Sequence, residues 1–178
     1  MERQHFDEVQ KFDQLMIRIP MLIAWIPMLV IFGAGIYQQI IRGIPWGNHP
    51  MSDAGLIAVD AFVFLILGST TWLLFSLRLH TWVTDRGLHY RFPPIIPGMK
   101  TITREEIAEY AVRKYDPIRE YGGWGFRVGR KATGKAYNVK GNMGLQLTLT
   151  NGKRVLFGTQ RPDALLAAMD RMMKRETM

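Results

Sequence analysis

Residues Ile19–Ile41 read "IPMLIAWIPMLVIFGAGIYQQII", 23 residues without a charge, and Ala54–Leu77 read "AGLIAVDAFVFLILGSTTWLLFSL", with Asp60 the lone ionisable group. At about 1.5 Å of rise per residue, either run crosses a hydrocarbon core of about 30 Å as a helix. Two such runs in a chain of 178 residues leave too little protein to cover both as buried core helices. The reading is a membrane α-helical hairpin joined to one polar domain. The segments are 1–16 (an N-terminal amphipathic segment), 17–42 (transmembrane helix 1), 43–54 (an extracytoplasmic loop), 55–78 (transmembrane helix 2) and 79–178 (a cytoplasmic domain).

The start of the chain carries Glu2, Asp7, Glu8 and Asp13, and the first apolar run exceeds the ~7–15 residues of a signal peptide, so an uncleaved anchor is expected. In the loop Arg42–Asp53 there is one basic residue, Arg42, whereas from Leu79 onward 18 Lys and Arg face nine Asp and Glu. Positive charge gathers on the cytoplasmic side of membrane spans. Both termini are therefore expected in the cytoplasm, at a bacterial inner membrane. Cysteine is absent, which excludes disulfides and thiolate metal sites.

Within the spans, Pro20 and Pro27 repeat at a seven-residue interval in a doubled "IPML" and are expected to kink the first helix. Gly33, Gly35, Gly68 and Ser69 would let two antiparallel helices approach closely. Asp60 is the candidate intramembrane polar site, because ionisable groups inside spans are commonly functional. Ahead of the first span, Phe6, Val9, Phe12 and Met16 recur at helical spacing, which predicts a short amphipathic helix.

From Leu79 the period changes to two. "LHTWVTDRGLHYRF" reads as a hairpin about Asp85-Arg86-Gly87, with Gly87 expected at positive φ. "FPPIIPG" is expected to interrupt the ladder, since prolines lack donors. Thr103 and Glu106 are spaced as a capping box, "AEYAVRKY", "GWGFRVG" and "KAYNVKG" read as strands, and Trp124, Phe126 and Val128 share a face. "LQLTLTNGKRVLF" reads as a hairpin whose Asn151-Gly152 turn sets Leu147 opposite Leu156. The end is an amphipathic helix with Leu165, Leu166, Met169, Met172 and Met173 on its stripe and Arg171, Lys174 and Arg175 at its negative end. The fold expected is α+β: six or seven antiparallel strands in a bent barrel, plugged by the C-terminal helix.

"YGGWGFRVG", "AYNVKGNMGLQLTLTNGKRVLFGTQRP" and the early "FDEVQKF" resemble phrases of bacterial two-span membrane proteins that carry a cytoplasmic pleckstrin-homology-like domain. The resemblance covers most of the chain and contains no catalytic motif. It implies a non-enzymatic module that binds partners or membrane lipid, or that assembles oligomers.

One local pattern points elsewhere. Gly129–Lys135, "GRKATGK", fits the first seven places of the phosphate-cradling loop G-x-x-x-x-G-K-[ST]. The eighth place is Ala136, which has no hydroxyl for magnesium, and the residues that follow read as a strand rather than a helix. No nucleotide, nucleic acid, metal or other cofactor is expected. His5, His49, His80 and His89 lack metal-ligand spacing, and Glu105, Glu106 and Glu109 read as a solvated turn. Two functions remain: an interaction or scaffold module with a protein partner or self-association, and recognition of anionic membrane lipid. For the second, Arg127, Arg130, Lys131, Lys135 and Lys140 are expected around one turn, with Arg113 and Lys114 joining them. A remote third is an oligomeric transport component using Asp60.

Overall fold

The computed structural model describes residues 3–12, 15–129 and 133–174. The chain divides into two units: residues 13–75 form one, and residues 1–12 with 76–178 form the other.

The helical unit holds α1 (Leu15–Ile36), continued by a π-helical turn (Tyr37–Ile41), and α2 (Asp53–Ser76). Both helices are long and apolar enough to cross a membrane, and only 11% and 6% of their apolar windows are buried, unlike core helices. Their mutual contact follows one stripe on each. Met21, Trp25, Met28, Phe32 and Gly35 are the more buried positions of α1, and Leu56, Asp60, Val63, Leu67 and Thr71 those of α2. The Trp25 indole N–H donates to Thr71 Oγ1 at 2.9 Å, and its ring meets Phe64 edge-on at 5.1 Å. Gly33 and Gly68 do not provide the close approach expected of them, since a Cβ on either would meet nothing within 4 Å. Gly35 instead makes room for the Trp46 ring of the connecting loop. Pro20 and Pro27 lie inside α1 and are exposed. The Gln39 amide closes the loop by donating to the Met51 carbonyl and to Asp53 Oδ1, at 2.9 and 2.8 Å.

The other unit is α+β, with two sheets. The first has the order β1-β2-β3-β4, from β1 (Gln4–Lys11), β2 (Arg78–Thr84), β3 (Gly87–Phe92) and β4 (Ile96–Thr103). The second has the order β5-β8-β9-β7-β6, from β5 (Ile107–Lys114), β6 (Gly125–Val128), β7 (Lys135–Asn138), β8 (Met143–Leu149) and β9 (Arg154–Gly158). A short helix α3 (Pro117–Tyr121) follows β5, and α4 (Pro162–Lys174) packs on β1, β2, β5 and β8. The sheets are not closed into the expected barrel. Nine strands are described rather than six or seven, and β7 pairs parallel with β9.

The largest correction is at the N-terminus. Gln4–Lys11 is a strand paired antiparallel with β2, not an amphipathic helix. Phe6, Glu8, Gln10 and Phe12 are buried and Val9 is 51% exposed, the alternation of a pleat. The Met16 side chain lies outside the described residues. Two of the inward residues are polar because they meet a polar corner. Glu8 accepts from Thr159 Oγ1 at 2.6 Å and from the Gln160 amide at 2.8 Å, while Gln10 Nε2 donates to the Gly158 carbonyl at 2.7 Å. The Arg161 guanidinium lies 5.4 Å over the Phe6 ring.

Other expectations meet different ends. The capping box of Thr103 and Glu106 is formed and starts a 3₁₀ turn (Arg104–Glu106). The proline run interrupts the strand as expected at Pro93 and Pro94, in the turn after β3, but β4 resumes at Ile96 and contains Pro97, on an edge where a missing donor costs no pair. Gly87 is not at positive φ; its lack of a side chain admits the Ile102 carbonyl, which a Cβ would meet at 2.3 Å. In the β8–β9 hairpin Leu147 faces Val155, one residue from the expected register. Leu149 and Lys153 close a three-residue loop, and Gly152 takes the left-handed place at φ +77° that ends a type I turn with a bulge. In α4, Leu165, Ala168, Met169 and Met172 are buried, with Leu166 and Met173 flanking; Arg175 lies outside the described residues. Between the sheets Tyr90, Tyr137 and Phe157 meet at centroid distances of 4.9–5.3 Å, and Phe126 stacks on Tyr137.

Replacing Glu8 with Ala leaves the buried Thr159 hydroxyl and the part-buried Gln160 amide without their acceptor. The expected loss is about 2 kcal/mol, or roughly 6–10 °C in the thermal unfolding of the full chain in detergent. Val9→Thr on the outer face should shift it by no more than about 0.5 kcal/mol. Equal effects at the two positions would refute the strand alternation.

Candidate functional site

The basic residues near one another in sequence are dispersed by the sheet. Arg127 on β6 and Lys135 on β7 are exposed at one sheet edge, in register with Ala136 and Val128. Arg130 and Lys131 lie outside the described residues. Lys140 follows the far end of β7 and is half-buried, so it does not belong to that turn. Arg113 and Lys114 are on β5, the opposite edge of the five-stranded sheet. Four strand spacings of about 4.8 Å separate those edges. The strands that carry the described members thus stand apart, although the Arg113 side chain reaches over the outer face to Tyr121, whose hydroxyl donates to the Thr133 carbonyl of that turn at 3.2 Å.

Arg113 has a structural task. Its guanidinium grips Glu120 through two contacts of 2.7 and 3.2 Å and donates to Gln146 Oε1 at 3.1 Å. Hydrogen bonding and charge from Glu120 hold the Arg113 pKa up, and the Arg113 hydrogen bond holds the Glu120 carboxyl below its ordinary value. Glu120 lies on α3, where Asp116 caps the first turn by accepting from the Ile118 and Arg119 amides and Gly122 ends it at φ +74°. This strap lays Tyr115 and Tyr121 against Ala136 and Leu156 on the outer face of the sheet. Burial pushes the Tyr115 phenol up to about 12.

The described ends of the phosphate-loop pattern lie between two paired strands. The Gly129 amide donates to the Gly134 carbonyl at 2.7 Å, and Lys135 opens β7, where a nucleotide loop requires a helix N-terminus. Of the three side chains expected on one face, Phe126 packs inward, the Trp124 indole donates to the Gly141 carbonyl at 3.2 Å, and Val128 is 69% exposed.

That exposed valine borders a concavity of about 660 Å³ between the sheets. Its floor is Tyr90, Ile102, Tyr137, Leu149 and Val155, and its rim carries Lys135, Lys153 and Arg154, with no acidic side chain among the described residues. Desolvation, with the hydrogen bond to Tyr90, pushes the Tyr137 phenol up, so it remains a proton donor at neutral pH. Such a cleft offers apolar area, a hydroxyl donor and positive charge. The sequence reading missed it because its lining comes from six separate strands and turns.

Sequence spacing also missed that His5, His80 and His89 share the outer face of the first sheet. Each is engaged: His5 with Asp85 at 2.7 Å, His80 with Asp7 at 3.0 Å, and His89 with Thr84 and Thr101 at 2.8 Å each. No group of three metal-ligating side chains converges among the described residues. Asp60 is half-buried on the α2 stripe that faces α1, without a hydrogen-bond partner among the described residues.

The Arg113–Glu120 pair makes a pH prediction. A lowered carboxyl pKa stabilises the fold above the unfolded value of 4.5 and loses that contribution as pH falls through the folded value. Glu120→Gln should lower the melting temperature at pH 6–7, and the deficit should shrink steadily below pH 4.5. A deficit that is constant with pH would show that the pair does not stabilise the strap. No family model, curated protein or solved structure matches the chain.

Proposed function

We propose that this chain is a non-enzymatic, membrane-anchored interaction module, held to the bilayer by α1 and α2 and receiving a partner protein in the cleft between its sheets. The pairing of β1 with β2 carries the anchoring part of the reading. These strands flank the helical segment in sequence, so they must stand on the same side of a membrane to pair, and two crossings return the chain to that side. The excess of Lys and Arg after Leu79 makes that side the cytoplasm of a bacterial inner membrane. The proposed likeness to pleckstrin-homology-like domains rests on mostly antiparallel sheets followed by a C-terminal helix.

The cleft supports recognition rather than chemistry. Its cations attract an anion, and its phenol, with a raised pKa, is held as a hydrogen-bond donor to one. The occupant that fits is a polypeptide segment with an apolar side chain for the floor and carboxylates for Lys135 and Lys153. Anionic lipid at Arg127 and Lys135 has less support, because the other described members of that basic group lie elsewhere. Transport through Asp60 has only that residue's place on the inter-helix stripe behind it.

Two measurements test the reading. Reporters fused to either end of the chain should both give a cytoplasmic signal, and opposite signals would end the topology. A photo-crosslinker at Asn151, in the full chain in its membrane, should give one adduct of defined mass, whose yield falls at least fivefold in the Lys135→Glu, Lys153→Glu variant. An adduct at twice the chain's mass identifies a second copy as the partner. No adduct, or one indifferent to charge reversal, overturns the cleft as the docking site.

A further inference from the structure

We infer that the β3–β4 corner, the turn at residues 93–95 with the first residues of β4 as far as Met99, is a third membrane contact, an apolar wedge that lies in the lipid headgroup region beneath a collar of cations. The inference rests on α1 and α2 being membrane spans.

The turn is placed by chain connectivity and one ladder end. Arg78, the first residue of β2, follows the last helical residue of α2, Ser76, by two positions. Two residues reach at most about 7 Å, which is close to the depth of one headgroup layer. Arg78 therefore lies at the bilayer surface whatever the orientation of the domain. Its amide donates to the Pro93 carbonyl at 3.2 Å, so the root of the turn is at the same level. Lys11, opposite Arg78 in the β1–β2 register, precedes α1 by only three intervening residues and belongs to the same end of the sheet. Because β3 runs antiparallel to β2, the chain beyond Phe92 projects from the end of the sheet at which the two helices attach.

The composition of the turn fits that position. Ile95 is 48% and Met99 63% exposed, in a run whose three prolines leave few backbone donors to desolvate. Around its root, Lys11, Arg78 and Arg91 line a shallow depression with Val9, His80 and Pro93, and no acid among the described residues contributes to it. None of these three cations has an ion-pair partner among the described residues. Apolar side chains beside unpaired Lys and Arg are the surface that an anionic bilayer interface accepts. A water-facing turn gains nothing from exposed isoleucine and methionine.

The chain contains no cysteine, so single labelling sites are available without background. An environment-sensitive fluorophore is placed at Ile95→Cys and, separately, at Lys153→Cys. The second site adjoins the β8–β9 turn, which is tied through Thr150 to Glu106 near the opposite end of the first sheet. The full chain is reconstituted in vesicles of phosphatidylcholine with 30% phosphatidylglycerol, a fraction of the lipid carrying a shallow nitroxide, at about 0.1 M salt. Retention after alkaline carbonate washing is scored first and independently; release of the chain would end the anchoring reading on which the inference rests. With the chain retained, the label at position 95 should be quenched at least twofold more than that at 153. Substituting Lys11, Arg78 and Arg91 together with Gln should cut that excess by half or more. Equal quenching at the two sites in a retained chain overturns the wedge, and quenching indifferent to the triple substitution overturns the cationic collar.

Discussion

The fold depends on a strand at one end of the sequence being held by a corner near the other. β1 has no turn linking it to β2 at close range; 66 residues separate Lys11 from its partner Arg78. Closing a loop of that length costs entropy before any ladder bond is formed. Glu8 and Gln10 offset that cost by binding the backbone and hydroxyl of Gly158–Gln160, and Arg161 adds its guanidinium over Phe6. The bonds to Thr159 and Gly158 are buried, where an unmade hydrogen bond costs about 1–3 kcal/mol per group. The corner they grip is itself the link between β9 and α4, so one polar cluster joins the edge of the first sheet, the second sheet and the closing helix.

The same cluster explains why β1 was illegible as a strand. Inward positions of a strand are expected to be apolar, and here two of the four are Glu and Gln. With those disguised, the remaining apolar residues, Phe6, Val9 and Phe12, fall by chance at helical spacing. Where inward residues are apolar the alternation was readable: β3, β8, β9 and the stripe of α4 stand where the pattern put them. The register of the β8–β9 hairpin slipped by one because Asn-Gly signals a two-residue turn, while Gly152 serves as the left-handed residue of a three-residue loop. The parallel β7–β9 pair had no local signal at all, since its partners are linked through β8.

The site was less legible than the fold for a related reason. Charge that is contiguous in sequence is split by a sheet into edges and ends, and Arg113 is consumed by Glu120 and Gln146 in fastening α3. The phosphate-like "GRKATGK" is preceded and followed by strands, not by the helix a nucleotide loop opens. The cleft is an assembly of one or two residues each from β3, β4, β6, β7, β8 and β9, of which Val128 and Lys135 drew notice in the sequence for other reasons. What marks it out is the sum: aromatic floor, cationic rim, and a valine left in solvent.

Inserting two long helices between adjacent strands also constrains how the chain can move. One residue, Leu77, separates α2 from β2, and three separate β1 from α1. Connectors this short cannot absorb a slide of one helix against the other, so such a slide must be taken up at the Lys11–Arg78 end of the ladder. Yet β1 cannot slip by one residue, because that would turn Glu8 and Gln10 outward and Val9 into the corner they satisfy. The polar clamp therefore does more than close the fold. It fixes the register in which the chain enters and leaves its apolar segment, and a partner bound between the sheets would feel any strain on the helices through that same pair of strands.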